Sequence, residues 1–161
     1  MRTGGRILVD QLAIQGARAA YLVPGESYLA VLDALFDSNA VRTIVCRHEG
    51  GATMMAEAAG RLTGRPGIAF VTRAPGATNA ASGVYVAAQG QTPMILFVGL
   101  PPRARAHLTA FQKFDLAGLY GGMAKHVEIA SATTQLPETV SRAYAVALNG
   151  RPGPVVVGLP E

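Results

Sequence analysis

The chain has 161 residues, 50% of them apolar and 15% charged, which excludes a disordered polymer and suits one domain with a substantial core. Its formal charge of +4 comes from basic residues scattered along the sequence. The densest group, Arg103, Arg105, His107 and Lys113, has no interleaved aromatic stripe, which argues against a nucleic-acid interface.

In chain order, a helical pattern over residues 5–15 comes first; Asp10 and Gln11 interrupt its apolar start too early for a signal peptide. A strand-like run, Ala20 to Val23, leads to the turn Pro24-Gly25-Glu26 and a second helical segment, 27–37, for which Ser27 offers an N-cap hydroxyl. The run Thr43 to Cys46 follows. Cys46 is the single cysteine, so no internal disulfide can form, and at the end of an apolar run it reads as a buried thiol in a reducing compartment. Arg47-His48-Glu49 then opens a helix over 50–63 rich in Gly and Ala, and Gly64-Arg65-Pro66-Gly67 stops it. Next come the strand Ile68 to Val71, the turn Thr72 to Gly76, a helix over 77–89 and the strand Met94 to Val98. The stretch 99–114 is long and irregular, a pattern more often functional than idle. A weaker strand, Val127 to Ile129, precedes a helix over 135–148, a second Gly-Arg-Pro-Gly stop at 150–153, and the strand Val155 to Val157.

Most strand runs are continuously apolar, as in parallel strands covered on both faces. Alternation with helices predicts an α/β fold: a three-layer open sheet of about six mainly parallel strands, with helices on both faces and one domain over 1–161. No stretch approaches the ~18 unbroken apolar residues of a membrane span, so a soluble, cytoplasmic domain is expected, with no membrane or nucleic-acid partner.

Ligands of such sheets sit beyond the carboxyl ends of the strands, which directs attention to 24–26, 47–49, 72–76 and 99 onward. Glu49 stands at the positive end of a helix, a position that suits a carboxylate on electrostatic grounds alone. Alternatively, the small residues after it let the helix pack closely and leave Glu49 a partly buried acid or base. His48, His107 and His126 lie in unrelated segments without metal-ligand spacing, so no metal site is expected. Ser82 lacks a nucleophile-elbow context. Gly76-Ala77-Thr78-Asn79 could present free N–H groups to a phosphate or simply join strand to helix, and neither a dinucleotide fingerprint nor a P-loop occurs.

Taken together, Val23-Pro24-Gly25-Glu26, Arg47-His48-Glu49-Gly50-Gly51-Ala52, Thr72-Arg73-Ala74-Pro75-Gly76-Ala77-Thr78-Asn79, Phe111-Gln112 and the closing Gly153-Pro154-Val155-Val156-Val157-Gly158-Leu159-Pro160 are specific in order and spacing. They resemble the N-terminal, pyrimidine-binding domain of acetolactate synthase-like thiamine-diphosphate enzymes over nearly the whole chain. The resemblance implies that Glu49 is the catalytic carboxylate, hydrogen-bonded to the ring nitrogen of the cofactor's aminopyrimidine. It implies that Pro24, Gly25 and Thr72 line the pyrimidine slot, that Pro75, Gly76 and Asn79 shape the neighbouring wall, and that Gln112 faces the thiazolium region. The enzyme implied is a 2-oxo-acid lyase or transferase.

The sequence also departs from the family pattern. Glu26 stands where Pro-Gly-Gly is common, Arg73-Ala74 where the turn often reads Ser-Gly, and Lys113 where Glu often follows Phe-Gln. These changes bear on acetolactate as the product more than on cofactor binding. In the family Mg²⁺ holds the diphosphate on a second domain with a Gly-Asp-Gly motif, which does not occur here. The central and diphosphate-binding domains are therefore expected outside this sequence, on the same protein or on a partner subunit of a homo-oligomer. The chain alone is expected to be inactive. A split decarboxylase subunit and a non-catalytic dimerisation or regulatory module are the alternative readings.

Overall fold

A computed structural model of the chain describes residues 2–102 and 112–161; Arg103, Arg105, His107 and Phe111 lie outside the described residues. Among those described, six strands form one sheet, β1 (Ala19–Leu22), β2 (Arg42–Val45), β3 (Gly67–Val71), β4 (Met94–Leu100), β5 (His126–Ile129) and β6 (Pro154–Pro160). Their order is β2-β1-β3-β4-β6-β5, and every pairing is parallel. The helices are α1 (Gly4–Ile14), α2 (Leu29–Phe36), α3 (Glu49–Thr63), α4 (Ala74–Gly90), α5 (Leu116–Tyr120) and α6 (Leu136–Leu148). One sheet face packs Leu8, Leu12, Val31, Leu35, Val140 and Tyr144 from α1, α2 and α6. The other packs Ala56, Ala77, Ala80, Val84, Leu116 and Tyr120 from α3, α4 and α5. The predicted three-layer α/β sheet is what the chain forms. Among the described residues, no helix is long and apolar enough to cross a membrane.

Local chemistry explains the boundaries. Thr3 caps α1 by accepting from the Arg6 N–H at 3.2 Å. Gly64 ends α3 in the left-handed region at φ 67°, which its missing Cβ permits. The central strands β3 and β4 are buried throughout. The expectation of cover on both faces fails at β2, where Arg42, Thr43 and Val45 are exposed, because an edge strand has a neighbour on one side only. Helix α5 was not foreseen, being five residues long; its buried Tyr120 hydroxyl donates to the Ala77 carbonyl at 2.5 Å and ties it to α4.

The Ser27 cap needs correction. Ser27 lies in a 3₁₀ turn, Glu26–Tyr28, and α2 begins at Leu29 with no side-chain cap. Its hydroxyl instead shares a 2.9 Å hydrogen bond with the Thr72 hydroxyl across the top of the sheet. A long-range partner has won over the local one.

Helices α3 and α4 approach closely because small residues face each other. A Cβ on Gly83 would lie 2.3 Å from Thr53 Oγ1, and the Thr53 hydroxyl donates to the Ala80 carbonyl at 3.1 Å. Lower on α3, the buried Glu57 Oε1 accepts from Arg61 Nε at 2.9 Å and from the Thr92 hydroxyl at 2.8 Å, pinning the helix to the entry of β4. Glu57→Ala orphans the buried Thr92 hydroxyl, so we expect it to cost about 2 kcal/mol. Arg61→Ala leaves the buried Glu57 carboxylate without its cation and with Thr92 as a remaining donor, so it should cost a comparable ~2 kcal/mol although the Arg61 side chain is itself 56% exposed. Denaturant midpoints at unchanged m-value measure both.

Candidate functional site

The carboxyl ends of β1, β2 and β3 bring three turns together. Glu49 follows β2 as the first residue of α3, and the residue before it does the capping. His48 is extended (φ −151°, ψ 140°), and its Nδ1 accepts the Gly50 N–H at 3.1 Å. That bond commits the imidazole to the helix end and leaves the carboxylate free of it.

Glu49 is half-buried. Its Oε2 accepts from Asn79 Nδ2 on α4 at 3.0 Å, a contact that the close α3–α4 packing makes possible. Its Oε1 takes no hydrogen bond from the described residues. Oε1 lies 3.3 Å from where a Cβ on Gly76 would sit, so the glycine keeps that side of the carboxylate clear. A Cβ on Gly76 would also lie 2.9 Å from Thr72 Cγ2, and one on Gly25 would lie 2.5 Å from Thr72 Cβ. Thr72 is thus wedged between the two glycines.

The sequence-predicted residues therefore separate into two groups. Glu49, Asn79, Gly76, Thr72 and Gly25 form one contiguous cluster. Pro75 is exposed on the first turn of α4, Pro24 is exposed on the rim, and Gln112 joins through its backbone, its carbonyl accepting the Ala74 N–H at 3.4 Å. Gln112 has φ 64°, an uncommon conformation for a residue with a Cβ.

Several contributors escaped the sequence reading. The Tyr28 hydroxyl donates to the Val23 carbonyl and so holds the end of β1, and its ring stacks on Phe70 at 6.0 Å. Burial, and secondarily the negative charge of Glu49, push the Tyr28 phenol well above its ordinary range, so it stays a donor at neutral pH. An aromatic in an apolar stretch reads as core, and nothing in the sequence shows where its hydroxyl goes. Arg73 is tied to Glu26 and Glu161, which no local pattern announces.

Two cavities, of about 620 and about 680 Å³, lie elsewhere: one beside Tyr28, Leu136 and Glu161, the other at the amino ends of the strands near Arg18 and Tyr144. Neither is lined by Glu49, Thr72 or Gly76, which form a shelf at the carboxyl ends of β2 and β3. Among the described residues no three His, Cys, Asp or Glu side chains are grouped to hold a metal.

Residues 2–119 match the family described as thiamine pyrophosphate enzyme, N-terminal TPP binding domain. The chain belongs to this family. Thiamine pyrophosphate and thiamine diphosphate are the same compound. Among curated relatives of this TPP-binding domain, the mitochondrial acetolactate synthase catalytic subunit of Aspergillus candidus is 38% identical over 99% of the chain and 23% of its own length. Acetolactate synthase isozyme 3 large subunit of Escherichia coli is 34% identical over 100% of the chain and 28% of its own length. The catabolic acetolactate synthase of Raoultella terrigena is 36% identical over 98% and 28%, respectively. The chain thus spans about a quarter of the relatives that it matches.

The residues of the shelf are chemically suited to thiamine diphosphate. They offer one carboxylate oxygen held by Asn79, a second open to a ring N–H or N, and glycines that clear the space beside it.

Proposed function

We propose that this chain is the pyrimidine-binding domain of a thiamine-diphosphate-dependent lyase or transferase acting on a 2-oxo acid, with Glu49 as its catalytic residue. One observation carries the reading: Glu49 stands at the start of α3 with Oε2 held by Asn79 and Oε1 open beside Gly76. When bound, thiamine diphosphate supplies a thiazolium C2–H acid whose deprotonated form is the nucleophile for 2-oxo-acid chemistry. Glu49 Oε1 would hold or donate a proton at the pyrimidine ring nitrogen. Asn79 fixes the carboxylate's orientation, and Gly25, Thr72 and Gly76 shape the slot, with Pro24, Pro75 and Gln112 along its margin.

The Glu49 shelf is one wall, and a bound cofactor needs a second. The reading places that wall, and the Mg²⁺ that binds the diphosphate, on another domain of the same protein or of a partner subunit. Met54, Met55 and Leu62 on α3 and Tyr85 on α4 are exposed large apolar side chains, which supports a partner on this face in a homo-oligomer. The relatives' names point to acetolactate synthesis, whereas Glu26, Arg73 and Lys113 leave the acceptor and product of this protein to be measured.

The chain on its own lacks the diphosphate anchor that gives much of such a cofactor's affinity. Calorimetry on residues 1–161 should accordingly show thiamine diphosphate binding weaker than about 100 μM, short of roughly −5.5 kcal/mol, even with Mg²⁺. No decarboxylation of pyruvate or other 2-oxo acids should occur. Tight binding and turnover by this chain would contradict the shared-site reading.

A further inference from the structure

The turns that carry Gly25 and Gly76 are joined by an ion network centred on Arg73. Arg73 directly follows Thr72 and precedes α4. Its Nη1 donates to Glu26 Oε1 at 3.0 Å, and its Nη2 to Glu161 Oε1 just beyond β6. The arginine side chain is only 13% exposed, against 74% for Glu26 and 33% for Glu161. Its Nε is buried and has no acceptor among the described residues, where the guanidinium relies on these two carboxylates. An exposed ion pair would matter little, but a guanidinium largely withdrawn from water makes its partners costly to remove. Taking away the arginine charge leaves Glu26 and Glu161 as like charges about one shared group, and they should part.

Glu26 and Arg73 meet in space across 47 positions of sequence. Their contact runs parallel to the Ser27–Thr72 hydroxyl bond and the Gly25–Thr72 packing. Thr72 in turn abuts Gly76, which abuts Glu49 Oε1. We propose that Arg73 is a positioning residue: with Glu26 and Glu161 it clamps the 24–27 turn onto the 72–76 turn and so sets the width of the slot beside Glu49. This rests on the reading of the shelf as a pyrimidine slot. The clamp acts through the backbone of the two turns, because Arg73 itself is occupied by carboxylates.

The test uses the full-length protein and the variants Arg73→Gln and Glu26→Gln, alone and combined. In cofactor-free protein, Arg73→Gln should speed hydrogen exchange at amides of residues 25–28 and 73–77 and leave α6 unchanged, as expected for local opening. Thiamine diphosphate affinity should fall roughly tenfold for Arg73→Gln and about threefold for Glu26→Gln, with the double variant no weaker than Arg73→Gln, as coupled partners behave. Arg73→Lys should recover only part of the affinity, since an ammonium cannot present a planar fork to two carboxylates.

Unchanged exchange in the turns, or exchange raised equally in α6, would overturn the clamp. Local opening with unchanged cofactor affinity, or strictly additive losses in the double variant, would overturn its positioning role. Failure of the unsubstituted full-length protein to bind thiamine diphosphate would overturn the proposed function instead, and it is read before any variant is compared.

Discussion

Replacing Glu49 with Gln in the full-length protein is expected to lower turnover at least ~10²-fold, the range of a general acid–base residue. Gln keeps the length of the side chain, and its carbonyl oxygen can still accept from Asn79 Nδ2 as Glu49 Oε2 does at 3.0 Å. What it loses is the ability to hold or release a proton at the position of Oε1. Geometry is preserved and chemistry removed, so the loss should fall on rate more than on stability. The neighbours provide contrast. His48→Ala removes the cap on Gly50 N–H and should cost about 1 kcal/mol of stability with little effect on rate. Cys46, buried with its thiol turned to the Ile44 carbonyl, should also be dispensable for rate.

The largest structural effect should come from Gly67→Ala, at the start of β3. A Cβ there would sit 1.8 Å from the Ala56 carbonyl oxygen and 2.6 Å from its carbon, backbone against backbone with no flexible side chain to yield. Relief requires α3 to lift from the sheet, and α3 begins with Glu49. We expect a loss of about 3 kcal/mol or more, or failure to accumulate as folded protein. Gly51→Ala is the matched control. Nothing lies within 4 Å of a Cβ at that exposed position of α3, and the same substitution should be neutral or stabilise by up to ~1 kcal/mol. Denaturant unfolding of the two variants should give opposite signs, or at least a difference of several kcal/mol.

The sheet was largely legible in the sequence because β3, β4 and β6 are continuous apolar runs, a pattern that double burial in a parallel sheet produces. The edges were less so. Strand β2 starts at Arg42, one residue before the apolar run that betrays it, and two of the five residues of the short helix α5 are Gly and Ala. Within the proposed site, the sequence reading singled out Glu49, Thr72 and Gly76 because they stand near strand ends, and Asn79 through the resemblance of its turn. The Arg73 partners could not be found in this way. Glu26 and Glu161 are 47 and 88 positions away, and an isolated Arg or Glu in a turn reads as a solvated charge. Ser27 failed for a related reason: the local capping rule was sound, but Thr72 from a distant turn offered its hydroxyl a better partner.

The central claim is that Glu49 governs proton movement on the bound cofactor, and hydrogen–deuterium exchange at the thiazolium C2 position reports this without requiring the identity of the 2-oxo acid. With full-length protein, thiamine diphosphate and Mg²⁺ in D₂O, quenched-flow NMR should show C2 exchange at least ~10²-fold slower in Glu49→Gln than in the unsubstituted protein at equal cofactor occupancy. Exchange at the unsubstituted rate in that variant would contradict the assignment of Glu49.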